Sequence, residues 1–355
     1  MLRTLFLLLC LAPPTALAAT PVFDVHVHLR DGETSLREYR DKVHAAGLQL
    51  SGIGAMWFGG PHQARQGDLA KIRAGNDKVI AVAAAHPDVL PIATVHPYDG
   101  DAALAELARV AAAGVKVLKI HAHTQGFDVA DPRVEALVRR AGELGITVLM
   151  DNANILPGDS EKLFNLVVRV PKTTFILAHI GGLNFRFWNI LALARTADGF
   201  GFDNLYFDIS ATVLLTADSP LEDEFIWTLR NVGLDHVLLG SDYPQIGLDA
   251  TVEAFERLDL TADAQMIYQS VREIFQDNLE ISVLDCTIPA AVVFRNAASR
   301  GIPAHRLEYR QPSNRQSPSA LSIIRRLAIE VFPEWRDRFE SVTEDTMAAL
   351  VKGGR

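Results

Sequence analysis

The stretch Val22–His28 reads VFDVHVH and opens a series of short apolar runs. It is rich in β-branched valine, which favours a strand, and it ends in two histidines separated by one residue. Most of the runs lack apolar/polar alternation, as expected of parallel strands that are covered on both faces. There are eight such runs: Val22–His28, Leu50–Trp57, Leu90–Pro97, Val115–His123, Ile146–Asn154, Thr174–Gly181, Leu205–Ser210 and Val237–Pro244.

Segments with apolar residues at three- and four-residue spacing lie between these runs and predict amphipathic helices. They are Ser35–Ala46, Asp101–Ala113, Pro132–Leu144, Asp159–Arg169, Asn184–Thr196 and Leu221–Asn231. A glycine follows several of them, as is common where a helix ends. Strands followed by helices, repeated along the chain, predict an α/β fold, a closed (β/α)₈ TIM barrel. A doubly wound open sheet is the alternative, but no glycine-rich phosphate loop follows the first run.

The composition restricts the class of protein. The 355 residues are 49% hydrophobic and 22% charged, which excludes a disordered chain. The 34 basic and 43 acidic residues give a net charge of −9, which disfavours nucleic acid as a partner. Cys10 and Cys286 are too few for a disulfide framework or a thiolate zinc site. A small-molecule substrate is the expected partner.

The first residues are typical of an export signal. Arg3 precedes the apolar run LFLLLCLA, which is too short to span a bilayer, and Ala16-Leu17-Ala18 supplies small residues at the cleavage positions. We therefore predict a signal peptide over residues 1–18, export to the periplasm or medium, and no stable membrane anchor after cleavage. An uncleaved anchor is the alternative.

Histidines cluster at the predicted carboxyl ends of the strands, where the chemistry of a barrel is carried. Six of the eleven lie there: His26, His28, His96, His121, His123 and His179. In the first strand, Asp24, His26 and His28 point to one face because strand side chains alternate. Two imidazoles one pleat apart can bind one metal ion. Two hydrogen-bonded polar side chains are the alternative.

Six segments in order resemble the amidohydrolase superfamily, in particular the amidohydrolase-related (amidohydrolase 2) family of metal-dependent hydrolases and decarboxylases. They are DVHVHL (24–29), KIHAHTQGF (119–127), GITVLMDNAN (145–154), ILAHIGG (176–182), LYFDIS (205–210) and LLGSDYP (238–244), and VREIFQDN (271–278) is similar to the closing helix. The resemblance implies a TIM-barrel metalloenzyme over residues 19–279. Its divalent ion, usually zinc, would be held by His26, His28 and Asp242, and His179 would bind substrate or activate water.

The chemistry of two of these positions agrees with the resemblance. His179 lies between an apolar strand and Gly181-Gly182, where a ligand, a general acid/base or a core histidine is expected. Asp242 ends an apolar strand, where a carboxylate can bind a cation and accept a proton from water. A cap on the following loop is the alternative for Asp242. We take His179 and Asp242 as the candidate catalytic residues.

Strand alternation places Lys119, His121 and His123 on one face of the fourth strand. Some superfamily members carboxylate a lysine here to bridge two metals, but the resemblance implies one ion. An ion pair with Asp24 or Asp151 is the alternative for Lys119. Lys119 and His121 are candidate substrate-binding residues.

The departure from the family pattern is at the fifth strand, where Asp151 replaces the usual metal-binding histidine. Aspartate can bind zinc or a harder ion such as manganese, although its side chain is shorter. An altered active site, a different metal preference or a degenerate site would each be consistent with this change. Arg186 and Arg30 follow the sixth and first strands and could bind a substrate carboxylate, with solvent-exposed charge as the alternative.

Residues 280–355 lie beyond the resemblance. Residues 311–319 (QPSNRQSPS) are typical of a polar linker, and Leu321–Phe332 and Pro333–Val351 predict two amphipathic helices. The helices could cover the barrel or pair subunits of a homo-oligomer.

The main functional hypothesis is an exported hydrolase in which metal-activated water attacks a small ester, lactone or amide. A non-oxidative decarboxylase and a non-catalytic binding protein with a degenerate metal site are the alternatives.

Overall fold

The computed structural model describes residues 21–196, 204–260, 267, 310, 319–331 and 335–353. Eight parallel strands form one sheet in sequential order, and helices alternate with them. The strands are β1 (Val22–His28), β2 (Leu50–Met56), β3 (Val89–Ala93), β4 (Val117–Ile120), β5 (Thr147–Asp151), β6 (Phe175–Ala178), β7 (Leu205–Asp208) and β8 (Val237–Leu238). The predicted TIM barrel is confirmed.

The helices pack their apolar faces on the outside of the sheet. Those that the structure describes between residues 21 and 260 are α1 (Glu33–Ala45), α2 (Leu69–Ala85), α3 (Asp101–Ala112), α4 (Ala122–Gln125), α5 (Pro132–Glu143), α6 (Asp159–Arg169), α7 (Ile190–Ala194), α8 (Thr212–Thr216), α9 (Glu222–Val232) and α10 (Leu248–Arg257). Short 3₁₀ segments cover Pro97–Asp99, His179–Asn189 and Leu234–His236. The apolar periodicity of the sequence indicated α1, α3, α5, α6, α7 and α9, but α2, α4, α8 and α10 were not predicted.

The barrel closes where β1 meets the chain after β8. The Val25 N–H donates to the Leu239 carbonyl (3.2 Å), and the Asp242 N–H donates to the His26 carbonyl (2.9 Å). Two further residues of this seam, Val27 and Tyr243, form a parallel bridge. These contacts join the first and last strands, so the residues that end them lie side by side.

The fourth strand is shorter than the sequence predicted. β4 ends at Ile120, and His121 caps α4 with its side chain accepting from the Thr124 N–H. The prediction that Lys119, His121 and His123 share one strand face is therefore wrong beyond Ile120. Lys119 is buried in the barrel, whereas His123 lies on α4 and is exposed.

Contacts divide the chain into two compact units, one over Thr20–Ile281 and another that includes Ser282–Arg355. In the second unit, helix α11 (Ala320–Val331) occupies the first segment predicted as helical. The second, predicted as one helix, contains two, α12 (Arg336–Glu340) and α13 (Glu344–Gly353). The predicted signal peptide, the closing segment 271–278 and linker residues 311–318 lie outside the described residues. Among the helices that the structure describes, none is long and apolar enough to span a bilayer.

Candidate metal centre

Three predicted ligands meet at the seam of the barrel. His26 and His28 come from β1, Asp242 follows β8, and one ligand atom from each lies within 4.8 Å of the others. The Asp242 Oδ1 atom is 3.4 Å from His26 Nε2 and 3.1 Å from His28 Nε2. All three residues are buried. Barrel closure therefore assembles a two-nitrogen, one-oxygen group suited to a divalent ion.

Both imidazoles are oriented through their other nitrogen. His26 Nδ1 is 2.7 Å from Asp208 Oδ2, and His28 Nδ1 contacts the backbone carbonyl of Phe58. The turn after Phe58 needs glycine, because a Cβ at Gly59 would lie 2.6 Å from His28 Nδ1. Oxygen partners at Nδ1 fix the tautomer and direct the Nε2 lone pairs inwards, as in other metal sites.

The contact between His28 and Asp242 tests whether these residues fit a cation. A carbonyl oxygen cannot donate, so the Phe58 carbonyl requires a hydrogen on His28 Nδ1. In a neutral ring, Nε2 then carries a lone pair that faces a carboxylate oxygen 3.1 Å away. Two acceptors at this distance need a proton or a cation between them, and a divalent ion satisfies both. The donor set fits a metal.

The electrostatics keep the candidate ligands in the forms that bind metal. Burial, together with the charge of Lys119, lowers the pKa of His26 well below its usual value, so the ring is neutral. Burial alone would raise the pKa of Asp242, but His26, His28 and His179 outweigh it and lower that pKa to about 2. A neutral imidazole and a carboxylate are the ligand forms of these side chains.

His179 lies on the sixth-strand side of the group. Its ring centroid is 5.4 Å from that of His26. Its Nδ1 is 3.0 Å from the Ser210 hydroxyl and 3.1 Å from the Ser210 carbonyl oxygen. Because the carbonyl only accepts, Nδ1 carries a hydrogen, and in the neutral ring Nε2 is then the atom with the lone pair. His179 is thus arranged to accept a proton or bind a cation.

Lys119 is a buried cation beside the group. Its Nζ lies 3.4 Å from His26 Nε2, and it interacts electrostatically with the carboxylates of Asp151, Asp242 and Asp208. Burial lowers the pKa of Lys119, although these carboxylates oppose the change. Its ammonium offsets part of their negative charge.

Asp151 does not belong to the three-residue group. Its Oδ2 atom lies 3.3 Å from His121 Nε2. Burial opposes ionisation of Asp151, but His121, His179 and Lys119 lower its pKa. Burial lowers the pKa of His121 to about 4, so its ring is neutral at pH 7. Metal binding by Asp151 and substrate binding by His121 stay predictions.

The structure places the other candidates away from the group. The guanidinium of Arg186 pairs with Glu224 of α9, and about half of each side chain is exposed. A role for Arg186 in substrate binding also stays a prediction. His96 is a buried structural residue, with Nε2 2.8 Å from the Gln125 carbonyl oxygen and Nδ1 accepting from the Tyr98 N–H.

Sequence reasoning missed three contributors: Asp208, Ser210 and the Phe58 carbonyl. Asp208 and Ser210 stand at the carboxyl end of β7, within the segment LYFDIS. A carboxylate at the end of an apolar strand is the signal that identified Asp242, and it could also have identified Asp208. A backbone carbonyl carries no sequence signal.

Comparison with solved structures shows similar barrels in decarboxylases and hydrolases. A 5-carboxyvanillate decarboxylase from Sphingomonas paucimobilis is 18% identical, with a TM-score of 0.51 over 67% of this chain and 82% of the other. A dihydroxybenzoic acid decarboxylase from Polaromonas sp., solved with bound manganese and 2-nitroresorcinol, is 16% identical, with a TM-score of 0.52 over 72% and 96%.

The third, a putative 2-pyrone-4,6-dicarboxylic acid hydrolase from Pseudomonas putida, is 17% identical, with a TM-score of 0.51 over 74% and 99%. At these identities the likeness shows the fold alone. A search of curated protein sequences gave no match. The sequence pattern of the family described as Amidohydrolase matches residues 23–278, which contain all eight strands except Val22 and all three predicted metal ligands. The chain therefore belongs to the amidohydrolase family.

Proposed function

We propose that this protein is a metal-dependent hydrolase that acts on a small ester, lactone or amide. The observation that carries the proposal is the convergence of His26 Nε2, His28 Nε2 and Asp242 Oδ1, with the carboxylate oxygen 3.4 Å and 3.1 Å from the two ring nitrogens. These atoms would hold one divalent ion, zinc or manganese. When bound, such an ion lowers the pKa of water and polarises a carbonyl group.

His179 is the proposed general base. The Oδ1 atom of Asp242 faces the two histidines, and its Oδ2 atom accepts from Gln245 Nε2 at 3.1 Å. His179 keeps Nε2 free because its Nδ1 is held by Ser210. It can therefore take the proton of the attacking water and later deliver it to the leaving group.

Two neighbours would stabilise charge and orient the substrate. The ammonium of Lys119 lies against His26 in a buried site, where it can stabilise the negative charge that develops on a carbonyl oxygen. His121 is neutral and can hydrogen-bond the substrate beside Asp151. Burial of these groups strengthens each interaction because water screens them less.

The hydrolase proposal is tested by separating metal content from turnover. Wild type reconstituted with zinc or manganese should hold about one equivalent per chain, and His28→Ala should hold less than about a tenth. His179→Gln should retain the metal and lose roughly 10²–10⁴-fold in kcat on a substrate from a panel of lactones, esters and amides. Wild type without metal, or His179→Gln with full turnover, would contradict the proposal.

A non-oxidative decarboxylase is the second candidate, and Arg30 is the observation that favours it. The Arg30 Nε atom is buried and has no hydrogen-bond partner among the described residues. It follows β1, two residues after His28, and a guanidinium with a free donor can bind a carboxylate. This candidate would be favoured if the protein releases CO₂ from aromatic carboxylic acids and does not turn over lactones or esters. Arg30→Gln should then raise the KM for the carboxylic acid.

A further inference from the structure

Asp208 accepts hydrogen bonds from three directions at the end of β7. Its Oδ2 atom is 2.7 Å from His26 Nδ1 and accepts the Ser210 hydroxyl at 2.8 Å, and its Oδ1 atom accepts the Ser210 N–H at 2.8 Å. The residue is fully buried. These hydrogen bonds fix the orientation of the Asp208 carboxylate, and the carboxylate in turn fixes the orientation of the His26 ring.

Ser210 extends this network to a second histidine. Its hydroxyl hydrogen goes to Asp208, so its oxygen is left to accept from His179 Nδ1 at 3.0 Å. The serine carbonyl accepts from the same nitrogen at 3.1 Å. One carboxylate thus orders His26 directly and His179 through one hydroxyl.

The contact between Asp208 and His26 passes across an intervening strand. β7 and β1 are separated by β8, and the chain after β8 carries Gly240 at the crossing. A Cβ at Gly240 would lie 2.6 Å from Asp208 Oδ1 and 2.9 Å from the His26 Cβ. Only glycine leaves room for the aspartate and the histidine to meet there.

We propose that Asp208 is a positioning residue that, with Ser210, fixes the tautomers of His26 and His179 so that both Nε2 atoms face the metal site. The inference deepens the proposed function and rests on it for its catalytic meaning. Without the carboxylate, the His26 ring can rotate or exchange its hydrogen between the two nitrogens. A misoriented ligand of this kind typically costs 10- to 100-fold in metal affinity.

The test uses Asp208→Asn in the full-length protein, with Glu106→Gln as the matched control. Glu106 is also a buried carboxylate with several donors, but it contacts Asn76, Arg73 and Arg109 and none of the three predicted metal ligands. Tautomers are read from ¹⁵N shifts of labelled histidines in metal-free protein, assigned with His26→Gln and His179→Gln. Zinc affinity is measured by competition with a chromophoric chelator.

In wild type and Glu106→Gln we expect both rings to carry hydrogen on Nδ1 and to bind zinc equally. Asp208→Asn should give a mixture of His26 tautomers and a zinc Kd about 10–100-fold higher. Gly240→Ala should show the same defect with the carboxylate retained, which covers the case that Asp208→Asn fails to fold.

Two results would overturn the positioning role. One is a hydrogen on Nε2 of His26 in wild type. The other is that Asp208→Asn and Gly240→Ala both keep the wild-type His26 tautomer and a zinc affinity within about twofold of wild type. If wild type binds no zinc or manganese, the proposed function fails. The tautomers of the metal-free protein still decide whether Asp208 positions the rings.

Discussion

Four non-glycine residues with a positive φ angle follow four consecutive strands of the barrel. Asn154, His179, Ala211 and Asp242 come after β5, β6, β7 and β8, with φ between 52° and 65°. Each costs of order 1–2 kcal/mol relative to ordinary backbone. His179 and Asp242 belong to the candidate site, where strain that orients a side chain can be retained. Ala211 carries no group that could use it.

Ala211→Gly should therefore stabilise the barrel. Glycine adopts φ 60° without the steric cost of a Cβ, so we expect the free energy of unfolding to rise by about 1 kcal/mol. Urea denaturation followed by circular dichroism measures the change. The control is Ala105→Gly on the exposed face of α3, where helix propensity predicts a loss of about 1 kcal/mol. If both variants lose stability, the proposed backbone strain at Ala211 is contradicted.

At the level of elements, a buried polar network joins α2, β3 and α3. Asn76 of α2 accepts from the Trp57 indole and donates to the carbonyl after β3 and to Glu106 of α3. Glu106 also accepts from Arg73 and Arg109. The carboxylate is fully buried, so these charged hydrogen bonds replace the water that it loses.

Glu106→Gln should lower the free energy of unfolding by about 2 kcal/mol at pH 7, because hydrogen bonds to the charged group are lost. Burial opposes ionisation of Glu106, but Arg109, Asn76 and Arg73 lower its pKa below 4.5. The folded pKa lies below the unfolded value, so its stabilisation is present above pH 4.5 and is lost as pH falls through the folded pKa. The difference between wild type and variant, measured by urea denaturation, should shrink there.

The matched control is Glu143→Gln, which removes an exposed pair with Arg140 of the same helix. Exposed pairs contribute little, so its stability should stay near that of wild type throughout the pH range. The lowered pKa of Glu106 would be contradicted if the difference in free energy of unfolding between wild type and Glu106→Gln stays constant or grows as the solution is acidified.

The same network explains what the sequence could and could not predict. The strands were identifiable because buried parallel strands are continuous apolar runs, as in Phe175–Ala178. Helix α2 was missed because Asn76, a polar residue, occupies its buried face beside Ile72 and Val79. His26, His28 and Asp242 could be proposed from strand ends. Asp208 could not be paired with His26, because only closure of the barrel through β8 brings the end of β7 close to β1.

For the molecule as a whole, the seam of the barrel and the candidate metal centre are the same place. The His28 N–H donates to the Tyr243 carbonyl at 2.8 Å, and Asp24 accepts from the Ser241 N–H at 2.8 Å and the Tyr39 hydroxyl at 2.7 Å. Two predicted ligands lie on one side of the seam and the third on the other. An ion bound there would link the first strand to the last.

Metal should therefore stabilise the closed barrel against unfolding. Zinc at about 100 times its Kd should raise the free energy of unfolding by about 2.7 kcal/mol, provided that it binds only the folded state. A chelator should remove this increment, and His28→Ala should lack it.

Tyr39→Phe is the control, because it removes the hydroxyl donated to Asp24 and weakens the seam without touching a ligand. We expect it to lose about 1 kcal/mol with and without zinc and to keep the full increment. An equal zinc increment in His28→Ala, measured by calorimetry and urea denaturation, would mean that the ion binds elsewhere than the seam.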